Sequence, residues 1–427
     1  MHSKVHISVC TRFHPKPGAF LRSITVQHHR CRERIDALQI EKCIYFWAVL
    51  GIFFFSLEIL SIEVRKVKNY ACKTRIISGT GAVKFLKELG TKRLFMVSDP
   101  FFVKNGTAEN IAAGSGAEVI QIYDGVTPDP TVEQVARGTA ELKAFAPDTV
   151  VALGGGSAMD CCKAMVFFSG LDVKLAAIPT TSGSGSEVTD FAILTHGGIK
   201  HPLIDDRLCP DVAILDSDLL KALPAKLIAD TGFDVLSHAL EGFVAANAGA
   251  ITDALALDSF SAAVQALPLS YRGNLSVRQK MHTASTMAAM AFNQAGLGLC
   301  HAMSHTLGGM FHLPHGRLNA ILLPAVISVN TPASSAKYAR IARAAGFGGA
   351  ADTVAVRNLK IGLIRLRKEL EMPGTLSQAG LDPRQVWRAA GEIVKATLHD
   401  PCCKTNPVQV EDFTVRRVLE EVTGRVG

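Results

Sequence analysis

Short apolar runs alternate with segments of helical spacing between about residue 70 and residue 216. The apolar runs typical of strands span residues 93–97, 118–123, 149–153 and 175–178. Apolar residues three and four apart mark the helical segments between them, such as 82–89 and 132–145. This alternation is typical of βαβ units on a parallel sheet. We therefore predict an α/β dinucleotide-binding domain with a Rossmann-like parallel sheet over residues 71–220.

After about Asp216 the alternation stops and helical spacing dominates. The alanine-rich segments with this spacing span residues 250–268, 278–296, 333–345, 354–370 and 384–397. We predict an all-α C-terminal metal-binding domain over residues 221–427. A ligand would then bind in the cleft between the two domains.

Residues 1–70 do not resemble the rest of the chain and are treated as a separate extension. Segment 44–62 is apolar except for Glu58 and is long enough to cross a bilayer. A cleaved signal peptide is a poor match, because the stretch before the segment is too long and no small-residue cleavage pattern follows. The segment is therefore a membrane anchor, a helix buried against a partner, or the product of a start codon assigned too far upstream. We favour the last, because an enzyme-like pattern begins near Tyr70.

Charge and cysteine usage narrow the function classes. Residues 1–70 hold eleven Lys and Arg against five Asp and Glu, and the remainder holds 34 against 33. Residues 71–427 are therefore nearly neutral and show no clustered basic face, so we expect no nucleic-acid partner. The ten cysteines contain no CxxC pair. This argues against a disulfide framework and favours a reducing cytoplasm.

Two loops are candidates for nucleotide binding. The run 149–153 leads into Gly154-Gly155-Gly156-Ser157 and then into a helix carrying Asp160 and Lys163. Bare backbone at a helix N-terminus can approach a pyrophosphate, although a tight turn without a ligand explains the glycines equally well. The second loop, residues 178–191, strengthens the nucleotide interpretation. It carries two glycines and the hydroxyl residues Thr180, Thr181, Ser182, Ser184 and Ser186.

Asp99 follows the strand-like run 93–97. A carboxylate there can bind an adenosine ribose hydroxyl and would repel the 2′-phosphate of NADP, which favours NAD. The alternative is a helix N-cap or turn residue.

Asp234, His238, His301 and His315 predict a metal site. Asp234 and His238 are four apart in a helical pattern, so both side chains project from one face. His301 begins a second predicted helix, and His315 follows after the turn LPHG, where Pro314 and Gly316 break the helical pattern. One carboxylate and three imidazoles suit iron(II) or zinc better than calcium or magnesium. A single histidine on such a helix would more often be a buried core residue, but four of the fourteen histidines lie between positions 301 and 315.

Four long motifs together resemble the iron-containing (group III) alcohol dehydrogenases over residues 72–427. The motifs are GGGSAMDCCKA, AIPTTSGSGSEVTDF, DTGFDVLSHALEGF and GLGLCHAMSHTLGGMFHLPHGRLNAILLP. Within that family the chain is most similar to the propanol dehydrogenases of propanediol-utilising microcompartments, through GGGSAMD, VTPDPT, KHPLIDD, MHTASTMAAMAFNQAGLGL and the late TNP. The ethanolamine-utilisation alcohol dehydrogenase is a near second.

The resemblance implies that Asp234, His238, His301 and His315 bind the metal. It also implies that His305 lies near the substrate and nicotinamide, where we expect it to pass a proton; a supporting or core role is the alternative, and His312 is a weaker candidate. Our set of cofactor-binding residues is Asp99, Gly155, Gly156, Ser157, Asp160, Thr180, Thr181, Ser184, Thr189, Phe191, Lys200 and Leu219. Ser184 in place of threonine and Arg317 in place of a smaller residue depart from the family pattern, and Arg317 could alter the substrate pocket.

The expected activity is reversible, NADH-dependent reduction of a short-chain aldehyde such as propanal or ethanal to the primary alcohol. NAD(H) and iron(II) are the expected cofactors, with zinc as the alternative metal. An ethanol dehydrogenase of the ethanolamine type, or a lactaldehyde or diol oxidoreductase, remains open, and a dehydroquinate-synthase-like lyase is a distant alternative. We expect a homodimer or larger homo-oligomer in the cytoplasm. A bacterial microcompartment is a further candidate location, and its enzymes would then be the protein partners.

Overall fold

The computed structural model describes residues 70–197 and 199–424, so the apolar segment 44–62 lies outside the described part. Within those two ranges no helix combines the length and apolar character needed to cross a bilayer. The seven cysteines in those ranges are free thiols.

A six-stranded parallel sheet organises the first part of the described chain. Six strands form this sheet: β1 (Arg75–Ser78), β2 (Arg93–Ser98), β3 (Val119–Tyr123), β4 (Thr149–Gly154), β5 (Lys174–Pro179) and β8 (Val212–Leu215). Two further strands lie outside it, β6 (Phe191–His196) and β7 (Ile199–Ile204). The sheet order is β1-β8-β5-β4-β2-β3, and β6 pairs with β7 as an antiparallel hairpin. The four predicted strands are confirmed as β2 to β5. β1, β8 and the hairpin were missed, because β1 and β8 have four residues each and the hairpin mixes apolar and polar positions.

Helices flank this sheet. They are α1 (Pro100–Lys104), α2 (Thr107–Gly114), α3 (Val132–Phe145) and α4 (Gly156–Ser169). The predicted helix 132–145 is confirmed as α3, which begins at a Thr131 cap whose side chain accepts from the Gln134 N–H. Segment 82–89 is a 3₁₀ helix instead, confined between Gly81 and Gly90, whose φ angles of 76° and 67° are left-handed.

The second part of the described chain is helical, which confirms the predicted fold class. The helices are α5 (Ala225–Val244), α6 (Ala250–Tyr271), α7 (Arg278–Ala295), α8 (Leu299–Phe311), α9 (His315–Ala344), α10 (Asp352–Glu369), α11 (Pro383–Arg388), α12 (Ala390–His399) and α13 (Asp412–Thr423). Predicted segment 333–345 is the end of the long α9, which bends at Ser334 just after Pro332. The domain limit near residue 220 stays a prediction; it falls between β8 and α5.

The helical part packs against the sheet through α7. Buried Ala289 and Phe292 of α7 contact Val188, in the loop before β6, and Ala213 of β8. This apolar contact places the loop that follows β5 directly beside the helices that carry the metal-site residues.

Candidate metal centre and cofactor loops

Three helices supply the four predicted metal ligands. Asp234 and His238 lie one turn apart on α5, and His301 lies in the first turn of α8, as predicted. His315 is the first residue of α9 and follows the short link 312–314, whereas Gly316 lies inside α9 and does not break the helical pattern as predicted. Pro314 caps that helix, and Gly316 permits close packing, since a Cβ there would lie 1.9 Å from the Asp230 carbonyl oxygen.

The ligand atoms converge around the Asp234 carboxylate. Asp234 Oδ1 lies 3.8 Å from Nε2 of His238, 3.8 Å from Nε2 of His301 and 3.5 Å from Nε2 of His315. Ligand atoms about 2.1 Å from a tetrahedral ion lie about 3.4 Å apart, so these separations fit a first-row divalent metal. Asp234, His301 and His315 each place one ligand atom within 4.8 Å of the other two. His238 stands at the edge of this group, with its ring stacked on His301 at 4.6 Å.

The electrostatics of the site favour the metal-binding protonation state of three of the four residues. Burial would raise the pKa of Asp234, but His238 and His315 outweigh it and hold that pKa below its usual range. Burial lowers the pKa of His238 to about 4 and holds that of His315 well below its usual value. Burial would also lower the pKa of His301, but hydrogen bonds to Asp234 and Glu241 raise it to about 9. The site therefore offers a carboxylate and two neutral imidazoles.

Sequence analysis missed two buried residues that orient these ligands. Glu241 Oε2 lies 2.6 Å from His301 Nδ1, and the same carboxylate accepts the N–H groups of Gly298, Cys300 and His301 at the start of α8. Asn319 Nδ2 donates to Asp234 Oδ1 at 2.8 Å and lies 3.2 Å from His315 Nε2. A helical-face argument would have found both, because Glu241 is seven residues after Asp234 and Asn319 is four after His315.

His305 lies beside the metal-site residues without belonging to the converging group. Its ring stacks on that of His315 with centroids 5.2 Å apart, and its Nδ1 lies 2.8 Å from Asp400 Oδ2. About one third of the His305 side chain is exposed. His312 is an exposed residue with a left-handed φ of 56° that ends α8, so it has a local structural role.

The two predicted nucleotide loops lie side by side. Gly154 has a φ of 153°, and a Cβ on it would lie 2.6 Å from that of Ala158. A Cβ on Gly155 or Gly156 would lie 3.4 Å from Thr181 Oγ1 or 3.2 Å from Ser184 Oγ, respectively. The hydroxyls of the second loop therefore flank the bare N-terminus of α4, where no side chain caps the helix.

Lys163 anchors the second loop from inside the protein. Its buried ammonium donates to the carbonyl oxygens of Ser186, Thr189 and Phe191. The Asp160 carboxylate accepts from Ser186 Oγ and from a backbone N–H of β6, and Thr189 is fully buried. Asp160 and Thr189 thus support the loop from behind, and their direct contact with NAD stays a prediction.

The remaining predicted cofactor residues surround these loops. Asp99 caps α1, with Oδ1 accepting from the Phe101 N–H. Lys200 on the hairpin pairs with Asp129 at 2.6 Å, and the Asp129 N–H lies 3.4 Å from Ser157 Oγ. Thr180 is buried at the end of β5 with its N–H on the Gly154 carbonyl. Phe191 begins β6 and Leu219 lies in the 3₁₀ turn after β8.

The second loop also contacts α5, the helix that carries Asp234 and His238. A Cβ on Gly183 would lie 2.8 Å from that of Thr231, three residues before Asp234. His282 of α7 lies 3.1 Å from Ser182 Oγ, and the Phe292 ring stacks on His238 at 4.3 Å. The candidate cofactor loop and the candidate metal centre therefore lie next to each other.

Two family models of known proteins match the two parts of the chain. The model described as "Iron-containing alcohol dehydrogenase" matches residues 73–217, and the model for the C-terminal part of the same family matches residues 228–423. The chain is 40% identical to the 1-propanol dehydrogenase PduQ of Citrobacter freundii, over 83% of this chain and all of that protein. It also resembles the solved iron-containing alcohol dehydrogenase of Thermococcus thioreducens, with 32% identity and a TM-score of 0.77 over 82% of this chain and 98% of that one.

A third likeness is to the sulfoacetaldehyde reductase of Bifidobacterium kashiwanohense, solved in complex with NAD+. Its identity is 28% and its TM-score 0.75, over 83% of this chain and 98% of that chain. The two family models cover most of the described chain, and the resemblance drawn from the motifs is confirmed. The chain is an oxidoreductase that belongs to the iron-containing alcohol dehydrogenase family.

Proposed function

We propose that this protein reduces short-chain aldehydes such as propanal and ethanal to primary alcohols with NADH, and catalyses the reverse oxidation. The observation that carries the proposal is the convergence of Asp234, His301 and His315 beside the loop that contacts α5 at Thr231. The likeness to a 1-propanol dehydrogenase and to an NAD+-bound reductase supports the substrate class and the cofactor.

Asp234, His238, His301 and His315 are the residues that would hold a divalent ion, and we propose iron(II) with zinc as the alternative. The donor set fits, because an anionic carboxylate and imidazole Nε2 atoms face one another at 3.5–3.8 Å. A bound ion would supply Lewis acidity to the aldehyde oxygen, where negative charge collects as hydride reaches the carbon.

The protein's own contributions are orientation and proton transfer. The N-terminus of α4 and the hydroxyls of Thr181 and Ser184 would bind the pyrophosphate, and Asp99 Oδ2 remains for a ribose hydroxyl. Asp400 holds His305 Nδ1, so His305 Nε2 is the atom left to pass a proton, directly or through water, to the product oxygen.

The test is anaerobic NADH oxidation by the full chain, with and without added iron(II) or zinc. We expect metal-dependent turnover with propanal and ethanal, and little with NADPH. Lactaldehyde and longer aldehydes serve as competing substrates, and a clear preference for one of them would replace the proposed substrate class. Metal-loaded, folded protein that turns over none of these aldehydes would overturn the proposal.

Asp234→Ala tests whether activity depends on the proposed metal site. We expect loss of bound metal and a fall in kcat/KM of at least about a thousandfold, since metal catalysis supplies several kcal/mol of stabilisation. Asp218→Ala, an exposed pair with Lys221, is the matched control and should retain activity. Unchanged turnover in Asp234→Ala would refute the site assignment.

We further propose that the enzyme acts within a propanediol-utilisation microcompartment, on the strength of its similarity to PduQ.

A further inference from the structure

A second cluster of metal-ligand side chains lies next to the centre described above and shares no residue with it. His305, Asp400 and Cys402 each place one ligand atom within 4.8 Å of the other two. Asp400 is the hub, with Oδ2 2.8 Å from His305 Nδ1 and Oδ1 accepting from the Cys402 N–H. All three residues are partly exposed, so an ion can reach them from the solvent.

We propose that His305, Asp400 and Cys402 form a second metal site, for a thiophilic divalent ion such as zinc or cadmium. One thiolate, one imidazole and one carboxylate match the borderline-soft preference of zinc and leave a fourth position for water. The His305–Asp400 separation of 2.8 Å must open by about 0.6 Å to reach the ligand spacing of a tetrahedral zinc site.

The protonated thiol of Cys402 limits which ions can bind at this site. Burial raises the pKa of the Cys402 thiol well above its usual value, and Asp400 adds to the shift. Binding therefore releases the thiol proton to solvent, while the proton on His305 Nδ1 moves to Nε2 if Nδ1 becomes the ligand. Only ions with high affinity for thiolate repay this loss, so magnesium should not bind and iron(II) should bind more weakly than zinc.

A metal ion bound at this second site would block turnover. An ion on His305 removes the imidazole from proton transfer, so excess zinc should inhibit enzyme whose Asp234 centre is already loaded. The expected inhibition rests on the proposed function, whereas the second metal site does not.

Cadmium provides a readout that is independent of activity. A cadmium–thiolate pair absorbs in the ultraviolet by charge transfer, and the Asp234 centre contains no sulfur. We expect full-length protein preloaded with zinc at the Asp234 centre to develop this band with about one equivalent of cadmium. Cys402→Ser should lose the band, Cys403→Ser should keep it, and Asp400→Asn should weaken cadmium binding at least about tenfold. Cys403 is the matched control because its Sγ donates instead to the Thr397 carbonyl.

Absence of the band in the wild type, or its persistence in Cys402→Ser, would overturn the site. Zinc inhibition is then measured relative to each variant's own rate, and the inhibiting concentration should rise at least about tenfold in Cys402→Ser. A cadmium site that forms without any zinc inhibition would leave the site standing and contradict the proposed role of His305 in turnover. If the wild-type protein shows the band but is inactive with aldehydes, the second metal site stands and the proposed function fails.

Discussion

His301 Nδ1 lies 2.6 Å from Glu241 Oε2, and this contact determines which nitrogen of His301 faces the metal site. The carboxylate accepts a hydrogen bond from Nδ1–H, and Nε2 is therefore the nitrogen that faces Asp234. Glu241 also accepts three backbone N–H groups at the start of α8, so one buried carboxylate fixes the ligand's tautomer and the position of its helix.

Glu241→Gln should weaken metal binding about 10- to 100-fold, because the amide places a donor where the carboxylate accepts. Chelator competition measures the affinity directly, and thermal unfolding of the metal-free protein should show a loss of stability as well. Glu392→Gln, at an exposed position of α12, is the control and should leave both quantities unchanged. Wild-type metal affinity in Glu241→Gln would show that Glu241 does not orient His301.

Gly316→Ala should displace the start of α9 and therefore His315. A Cβ at this position would lie 1.9 Å from the Asp230 carbonyl oxygen, so the backbone must move, at a destabilisation of about 1–3 kcal/mol. Bound metal per chain and urea unfolding are the measurements. Gly391→Ala has no atom within 4 Å of the new Cβ and should be neutral or slightly stabilising. Equal results for the two variants would contradict the close approach of α5 and α9.

Lys163→Met should destabilise the protein by about 3–5 kcal/mol, because it leaves the buried acceptors of the second loop and Asp160 without their cation. We also expect a higher KM for NADH as the loop loosens. Lys143→Met, on the exposed last turn of α3, is the matched control. An unchanged KM with a large loss of stability would restrict Lys163 to a folding role.

The same lysine gives a pH dependence. Burial lowers the pKa of Lys163 to about 8, against an ordinary value of about 10.4 in the unfolded chain. Between these values the unfolded chain binds the extra proton, so the contribution of Lys163 to stability rises with pH, by about 1.4 kcal/mol per unit, and is lost as pH falls through 8. The free energy of unfolding of the wild type minus that of Lys163→Met should therefore increase from pH 7.5 to pH 9.5. A constant difference would show that the lysine titrates normally.

Asp400→Asn should lower kcat about tenfold or more with little change in the KM for NADH. The carboxylate holds His305 at 2.8 Å, and the amide can hold it only with a different tautomer or ring orientation. Comparing kcat with KM, and the wild type with Asp400→Glu, distinguishes orientation of His305 from general damage to the fold. A change confined to KM would contradict the positioning role.

Arg317→Ala should act on stability more than on substrate choice. The sequence suggested that Arg317 could alter the substrate pocket, but its guanidinium makes two hydrogen bonds to Asp230 across α5 and α9. Losing them should cost roughly 1.5–3 kcal/mol and leave the ranking of propanal, ethanal and lactaldehyde unchanged. A reordered ranking, with the stability intact, would restore the pocket role.

Local sequence pattern was sufficient for much of the fold and for placing two of the candidate ligands on one helical face. Buried parallel strands are continuous apolar runs, which is why β2, β4 and β5 were predicted within one residue at each end. β3 was predicted equally well, although it is a partly exposed edge strand. Asp234 and His238 lie on one helical face because they are four residues apart, and that spacing is visible in the sequence. β1 and β8 escaped detection because four residues are too few to show a period.

The sequence by itself determined which residue types are available for the chemistry: an aspartate and three histidines, two glycine- and hydroxyl-rich loops, and a chain that alternates before it turns helical. Only the tertiary structure decided how they meet. Glu241 reaches His301 across 60 residues and Asp400 reaches His305 across 95, because packing of separate helices sets these contacts. Such contacts depend on the relative placement of elements, which no local periodicity encodes.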